Sequence, residues 1–361
     1  MVKQTAKFSF MEDWKTYRIG EISEVNKSQY LPKDNWQNFL YLDTGSITRN
    51  QIDSIQTISS AAELPSRARR KVIDFDIVYS TVRPNQCHYG ILKDPKANLL
   101  VSTGFAVISV NREVANPLFV YYYLTQDYII DALQAIAEQS VSAYPSIKPS
   151  DIENVEVCLP PLNIQNKIAT MLSSLDDKIE LNNRINHNLE EQTQALYKSW
   201  FVDFEPFKAG KFVESELGMI PEGWLNIPFS SFVYESKEKN RDSSQKEFSV
   251  TNNGIFPREE KFNKNLSKSV RNNKLVRCGD LVFGMSRDIL NWGVMGEENG
   301  GVSSAYTVYR VDQDVVSSIY IKLYINSHLQ YFKDLIRPAA REGQSIDKSI
   351  LARKVIIIPP Q

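Results

Sequence analysis

Short apolar runs alternate with longer periodic stretches along this chain. Val72–Ser80, Phe105–Val110 and Val355–Ile358 are rich in β-branched and aromatic residues, which predicts strands. Pro117–Gln134 and Ile319–Ile336 carry apolar residues at helical spacing, which predicts one clear helix in each half of the chain. This mixture of short strands and single helices favours an α+β fold in both halves.

The longest predicted element is a helix from Asn163 to about Trp200, a stretch without glycine or proline. Asn163 is expected to cap its start, and Pro206 to follow its end. Such a helix would be roughly 57 Å long, which is too long to pack on one domain alone. We therefore expect a strut that forms half of a coiled coil, with packing on its own domain as the alternative. The heptad seam comprises Ile168, Leu172, Leu175, Ile179, Asn182, Asn186, Leu189 and Leu196.

The sequence before the helix recurs after it, roughly 200 residues later, and so long a period indicates duplicated domains rather than a solenoid. Several matches follow in the same order. Asp76–Tyr79 matches Asp280–Phe283, Val101–Phe105 matches Val302–Tyr306, and Ser146–Pro161 matches Ser345–Pro360. We predict two similar domains, residues 1–161 and 206–361, joined by a central helix at 162–205.

Composition narrows the possible functions. The 361 residues carry 42 basic and 43 acidic side chains, so a role on nucleic acid would depend on local basic patches. The three cysteines have no close spacing, which favours a reducing compartment and argues against a disulfide framework. The sequence contains no signal-peptide pattern and no apolar stretch of spanning length. We expect a cytoplasmic protein that does not enter the membrane.

Basic residues cluster at two matched positions, each before an Asp-apolar-Val-aromatic strand. The second cluster, Arg258–Arg277, holds seven basic and two acidic residues. We expect both clusters on equivalent loops that contact DNA phosphates and base edges; a solvated charged surface is the alternative. Arg83 and Arg287 keep the same spacing from the matched strands, where DNA contact and internal ion pairing both remain open. The candidate DNA-binding residues are Arg67, Arg69, Arg70, Lys71, Arg83, Arg258, Lys261, Lys264, Lys268, Arg271, Lys274 and Arg287.

Four segments resemble the specificity subunit of Type I restriction–modification systems. They are Leu159–Gln165 and Leu175–Asn183 at the start and middle of the helix, Ala195–Phe204 at its end, and Leu217–Trp224 beyond it. The resemblance covers nearly the whole chain and implies two target-recognition domains. Each domain would read one half of a bipartite site in the major groove of double-stranded DNA. The central helix would set the spacing between the half-sites and dock other subunits.

The resemblance also implies partners. Methyltransferase subunits would carry S-adenosylmethionine and methylate adenine, and a motor–nuclease subunit using ATP could join them. The specificity subunit would itself be no enzyme and hold no cofactor, catalytic residue or metal. In the family a second conserved helix pairs with the first as an antiparallel coiled coil. It would follow Pro359–Gln361, where this sequence stops, so we expect the central helix to lack its intramolecular partner.

Two other functions remain open. The chain could be a stand-alone DNA-binding or assembly protein that dimerises through its central helix. It could also be an enzyme with a divergent methyltransferase or nuclease site. The nearest string to an adenine methyltransferase loop, Asn116–Phe119, lacks the second proline, and no Walker loop is present.

Overall fold

The computed structural model describes residues 13–140, 144–241, 245–258, 272–285, 288–296, 298–336 and 346–360. The chain divides between Asn183 and Arg184 into two compact units. Unit 1 extends to Asn183, and unit 2 starts at Arg184. Because the division falls inside the long helix, each unit includes part of that helix.

Unit 1 is built from short strands and short helices, followed by the first part of the long helix. Its strands are β1 (Lys15–Arg18), β2 (Ser23–Val25), β3 (Phe39–Leu42), β4 (Ile47–Thr48), β5 (Gln51–Ile52), β6 (Gln56–Ile58), β7 (Ala68–Lys71), β8 (Ile77–Ser80), β9 (Tyr89–Ile91), β10 (Leu99–Ser102), β11 (Phe105–Val110) and β12 (Glu156–Leu159). Its helices are α1 (Ile19–Ile22), α2 (Pro117–Leu124), α3 (Asp127–Glu138) and α4 (Pro149–Glu153), before α5 (Leu162–Tyr197).

Two four-stranded sheets form the body of unit 1, in the orders β6-β3-β10-β7 and β2-β11-β8-β9. β3 and β10 are parallel, whereas β8 and β11 are antiparallel with Ile77 opposite Ile108. β8 is buried on both faces because Ile77 and Tyr79 join one apolar cluster and Val78 joins another. The first and last strands, β1 and β12, pair with Lys15 opposite Leu159.

Unit 2 starts in the second part of α5 and contains its own strands and helices. Its strands are β13 (Phe212–Ser215), β14 (Gly218–Pro221), β15 (Leu225–Pro228), β16 (Val233–Ser236), β17 (Glu247–Thr251), β18 (Gly254–Pro257), β19 (Lys274–Val276), β20 (Leu281–Phe283), β21 (Trp292–Val294), β22 (Gly300–Val302), β23 (Thr307–Val311) and β24 (Val355–Ile358). Its other helices are α6 (Ser318–Ser327) and α7 (Lys348–Arg353).

Strand pairing in unit 2 follows that of unit 1. The four-stranded sheets have the orders β18-β17-β22-β19 and β16-β23-β20-β21. β17 and β22 are parallel, as β3 and β10 are, and β20 pairs antiparallel with β23, with Leu281 opposite Tyr309. The end strand β24 pairs with β15, as β12 pairs with β1. The predicted duplication and the α+β class are therefore confirmed.

Some predicted element bounds were wrong. The strand predicted at Val72–Ser80 starts only at Ile77, because the Asp76 carboxylate accepts the backbone N–H of Ile73 and closes a turn before it. The helix predicted at Pro117–Gln134 is two helices, since Gln126 adopts an extended conformation between them. The helix predicted at Ile319–Ile336 ends at Ser327, where His328 leaves the helical conformation. The strands predicted at Phe105–Val110 and Val355–Ile358 are confirmed.

The long central helix is confirmed as α5, with 36 residues. It starts one residue earlier than predicted, so Asn163 lies inside the first turn and its side chain accepts the N–H of Ile164. Gln165, which is buried, fixes this turn by donating to the Pro160 carbonyl (2.8 Å) and accepting the N–H of Asn116 (2.9 Å). α5 continues as a π-helical turn, Lys198–Val202, shortly before Pro206.

Candidate nucleic-acid interface

The first basic cluster lies mainly on a strand, not on the loop predicted for it. β7 is the last strand of its sheet, where β10 pairs with one side and the segment 28–30 bonds to the other. Ala68 is fully buried and anchors the strand, whereas the preceding Arg67 is exposed. Arg67 is therefore free to extend towards a phosphate backbone from a rigid position.

The other three basic residues of this cluster contact their own domain. The Arg69 side chain donates to the Ser66 carbonyl, and Arg70 donates through Nη2 to the Thr103 carbonyl, each at 3.3 Å. Burial lowers the pKa of Arg70. Lys71 forms an ion pair of 2.7 Å with Asp34. DNA contact by these residues stays a prediction, and it would require them to keep or exchange these contacts.

Two candidates of the second cluster lie within the described residues. Arg258 follows β18 and donates through Nη1 to Ser249 Oγ at 2.8 Å. Lys274 starts β19 and donates to the Tyr306 carbonyl, and burial lowers the pKa of Lys274. The other four candidates of this cluster, and Arg287 beyond it, are outside the described residues: Lys261, Lys264, Lys268, Arg271 and Arg287.

One described residue of each cluster occupies the same position on corresponding strands, β7 and β19. Arg70 of β7 lies opposite Val101, and Lys274 of β19 lies opposite Val302, the residue that matches Val101 in the repeat. Both basic residues are half-buried and donate to main-chain carbonyls. Each unit therefore has a cationic residue at the same place on the last strand of a sheet, opposite a bridging residue, Gln29 or Lys239.

Arg83 occupies a constrained position beyond β8. Its backbone is left-handed, with φ of 48°, at the start of the turn Pro84–Gln86. Its guanidinium lies 4.9 Å from the ring centroid of Tyr144, a cation–π contact. Left-handed backbone at a residue other than glycine is unfavourable and is concentrated at functional sites. Arg83 remains a DNA-contact candidate.

The sequence interpretation missed a second arginine in a similar conformation. Arg49 and Asn50 connect β4 to β5, with φ of 46° and 67°. Asn50 Oδ1 accepts the N–H of Ile91 at 2.8 Å and fixes the turn, while the Arg49 side chain is exposed. The signal was an arginine–asparagine pair between two very short strands, since asparagine favours such hairpin turns.

The central helix exposes an apolar face. Ile168 packs partly against the core of unit 1, and Leu172 is half-buried. Further along, Leu175, Ile179, Leu189 and Leu196 are 52–56% exposed. The polar seam residues Asn182 and Asn186 are exposed as well. Exposed leucine and isoleucine at heptad spacing fit the predicted coiled-coil seam, whose pairing stays a prediction.

The family model and two curated relatives that match this chain all describe Type I restriction specificity domains or subunits. A family model described as Type I restriction modification DNA specificity domain matches residues 11–191. The HindI specificity subunit of Haemophilus influenzae is 35% identical over 199 residues, which are 55% of this chain and 43% of that protein. The MjaIX specificity subunit of Methanocaldococcus jannaschii is 29% identical over 233 residues, 62% of this chain and 52% of that protein. The chain thus spans about half the length of these curated relatives.

A solved structure shares the fold. The S subunit of the Type I restriction–modification system from M. genitalium superposes with a TM-score of 0.51 at 12% identity, covering 99% of this chain and 87% of that one. At this identity the likeness bears on the fold alone. Among the residues with described structure, no helix combines the length and apolar character needed to cross a membrane.

Proposed function

Because this chain belongs to the family of Type I restriction–modification DNA specificity domains, we propose that it is the DNA-recognition subunit of such a system. The observation that carries the proposal is the duplication. The family match covers unit 1 and most of α5, and unit 2 repeats the strand pairing of unit 1. Two like domains in one chain suit a bipartite DNA site, with one half read by each.

Local charge supports DNA contact in a chain of net charge −1. Exposed Arg67 adjoins the edge strand β7, and exposed Arg49 lies on a hairpin fixed by Asn50. Arginine suits both phosphates and the guanine edge in the major groove. We assign phosphate contact to Arg67, and base or phosphate contact to Arg49 and Arg83.

The exposed face of α5 supports a role in assembly. Four large aliphatic side chains at heptad spacing, about half exposed each, favour burial against a partner helix. We propose that this face pairs in a coiled coil that sets the distance between half-sites and docks methyltransferase subunits. Those subunits would carry S-adenosylmethionine, and a motor–nuclease subunit using ATP could join them in the cytoplasm. This chain would provide recognition without catalysis. The comparisons give no better support to the alternative, a stand-alone DNA-binding or assembly protein that dimerises through its central helix.

Methylome sequencing tests the proposal directly. The full chain is expressed with its methyltransferase subunits in a host without adenine methylation, and the same strain without this gene is the control. We expect one bipartite motif to be methylated at adenine only when the chain is present, and no methylation from the chain alone. Identical methylomes with and without the gene would contradict the proposal.

A domain exchange tests the contribution of each domain separately. Residues 1–155 are replaced by the corresponding segment of a related specificity subunit. One half of the methylated motif should change, while the other half and the spacing stay the same because unit 2 and α5 are intact. Replacing residues 206–361 is the matched control and should alter the opposite half.

A further inference from the structure

A buried aspartate in unit 2 is paired with an arginine. Asp280 is 3% exposed, and one of its oxygens accepts the N–H of Arg277 at 2.7 Å. Arg310 forms an ion pair with this carboxylate through Nη1 and binds Glu238 through Nη2 at 3.0 Å. Arg277 also bonds Glu238, at 2.9 Å. Two acids, Asp280 and Glu238, therefore bind the guanidinium of Arg310.

The repeat places the corresponding aspartate in unit 1, where the described residues include no arginine that forms an ion pair with it. Asp76 is also 3% exposed and accepts the N–H of Ile73 at 2.8 Å, as Asp280 accepts that of Arg277. Since Ile108 lies opposite Ile77 and Tyr309 opposite Leu281, Ser109 stands where unit 2 has Arg310. Ser109 Oγ donates to Asp76 at 2.7 Å. Within the described residues, no basic side chain forms an ion pair with Asp76.

The second acid has a counterpart too. Ser28 accepts the N–H of Lys71 through its carbonyl, just as Glu238 accepts that of Leu275, so Ser28 stands where unit 2 has Glu238. Three charged positions of unit 2 therefore carry small or apolar residues in unit 1. These residues are Ser28, Ile73 and Ser109, and the buried acid alone is retained.

A cavity occupies this place in unit 1. Its volume is about 290 Å³, and its lining includes Asp76, Ser109, Ser28 and Ile73. The residues that correspond to Arg310 and to both of its acid partners therefore all line one cavity. Trp36 lines it as well, with the Lys71 ammonium 4.9 Å from the centroid of its ring. The volume is near the lower end of the range for small-molecule sites.

The described cationic side chains near Asp76 form their ion pairs with other acids, and Arg112, which acts on Asp76 through space, pairs with Asp74 at 3.6 Å. Lys71 and Lys27 line the cavity, but Lys71 is paired with Asp34 at 2.7 Å and Lys27 with Glu24 at 3.0 Å. A carboxylate has about four acceptor positions, and Asp76 uses one on Ser109 and one on Ile73. It retains capacity for a charged donor, which would form strong hydrogen bonds in so buried a place.

We propose that this cavity binds the guanidinium group of a small cationic molecule, which donates to Asp76 as Arg310 donates to Asp280. A planar guanidinium fits better than an ammonium ion, because its N–H groups lie in one plane and can bond a carboxylate side by side. The ligand is a small molecule, since the cavity is small. The cavity shares Lys71 with the candidate DNA-binding residues, but the proposal rests on Asp76 and does not depend on DNA contact.

A ligand titration of the full chain, followed by saturation-transfer NMR, tests the proposal. Ethylguanidinium should bind with a millimolar dissociation constant, and ethylammonium at least tenfold more weakly. A blocked Gly-Arg-Gly peptide represents a protein-borne guanidinium and should also bind more weakly. Equal binding of ethylammonium, or tighter binding of the peptide, would overturn the assignment to a small guanidinium ligand.

Three variants locate the site. Asp76→Asn should weaken ethylguanidinium binding at least tenfold, provided that its unfolding transition shows a folded protein. Ser109→Arg introduces the arginine of unit 2 and should abolish binding by filling the cavity, so it tests the site even if the first variant fails to fold. Ser59→Arg is the matched control, because it adds the same side chain at an exposed position that does not line the cavity, and it should bind within twofold of the parent. Unchanged binding in Ser109→Arg would refute the proposal.

Discussion

Units 1 and 2 share the order and pairing of their strands but differ in the side chains that contact a buried aspartate. Both place an aspartate at the turn before the central strand, Asp76 in one and Asp280 in the other. In unit 2 an arginine from the neighbouring strand neutralises it, whereas in unit 1 a serine hydroxyl is its side-chain partner. The turn hydrogen bond is common to both, so the fold requires the carboxylate there and does not require the arginine.

The sheet interiors differ in a second way. Leu99 and Leu100 of β10 are large and buried, while the corresponding residues of β22 are Gly300 and Gly301. In unit 2 the space is taken by Phe248, whose ring would overlap a Cβ at Gly300. The large side chains are therefore on β10 in unit 1, whereas in unit 2 a large side chain on β17 packs against the glycines of β22. The pairing of the strands is the same in both units. The two units thus keep the same strand pairing with different buried side chains.

The largest expected effect comes from removing the arginine that distinguishes the units. Arg310→Met at pH 8 leaves Asp280 buried and unpaired, which should cost unit 2 about 3 kcal/mol of unfolding free energy. This is the lower end of the range for buried pairs, because the Arg310 side chain is 24% exposed. Hydrogen exchange at Leu281–Phe283 measures the change in unit 2 separately.

Unit 1 offers the control for that experiment. Ser109→Ala removes only a hydroxyl from Asp76 and should cost about 1 kcal/mol, measured by hydrogen exchange at Ile77–Ser80. Equal losses in the two units would mean that the arginine has no special role in unit 2.

The next effect concerns the glycine strand. Gly300→Ala would bring a methyl group into the Phe248 ring and to 2.7 Å from the Lys246 carbonyl oxygen. Such overpacking should lower the unfolding free energy of unit 2 by about 1–3 kcal/mol, measured by denaturant unfolding. Gly296→Ala is the control, because no atom lies within 4 Å of its added Cβ. Similar stability of the two variants would show that the sheet adjusts freely.

The stability of unit 2 should also depend on pH. Burial raises the pKa of Asp280 to about 6, although Arg310 and Arg277 act in the opposite direction. Because the folded pKa lies above the usual 3.8, this contribution to stability is fully present below 3.8 and is lost as the pH rises through about 6. Hydrogen exchange in β20 should therefore become faster over this window, and Asp280→Asn should lack the step.

A direct titration completes that test. Carboxyl NMR should give a midpoint near 6 for Asp280, and Arg310→Met should raise it further because the ion pair is removed. A midpoint below 3.8 would show that the ion pair outweighs burial. Burial raises the pKa of Asp76 as well, so unit 1 should respond to pH in the same direction.

Much of the fold could be predicted from the sequence. The repeat, the strands Phe105–Val110 and Val355–Ile358 and the long helix followed from local patterns. The breaks within the two predicted shorter helices did not, because apolar residues continue past Gln126 and His328 although the backbone turns there. Local periodicity does not encode where tertiary packing ends a helix.

The candidate sites were less predictable. Asp280 and Arg310 meet only because strand pairing brings them side by side, so neither residue alone signalled a pair. The equivalent positions of Arg70 and Lys274 likewise depend on sheet order and pairing, which the sequence pattern does not state. DNA contact by the basic clusters stays a prediction, and five of its twelve residues are outside the described part of the chain.

The pairing of first and last strands has a consequence for how such a chain can change over time. Since β1 lies beside β12 and β15 beside β24, each unit leaves its sheet next to where it entered. Because its first and last strands are paired, the segment between them resembles a long loop whose two ends are held together. The entropy cost of closing such a loop grows only slowly with its length. Recombination could therefore insert a longer or shorter unit without moving the two ends apart.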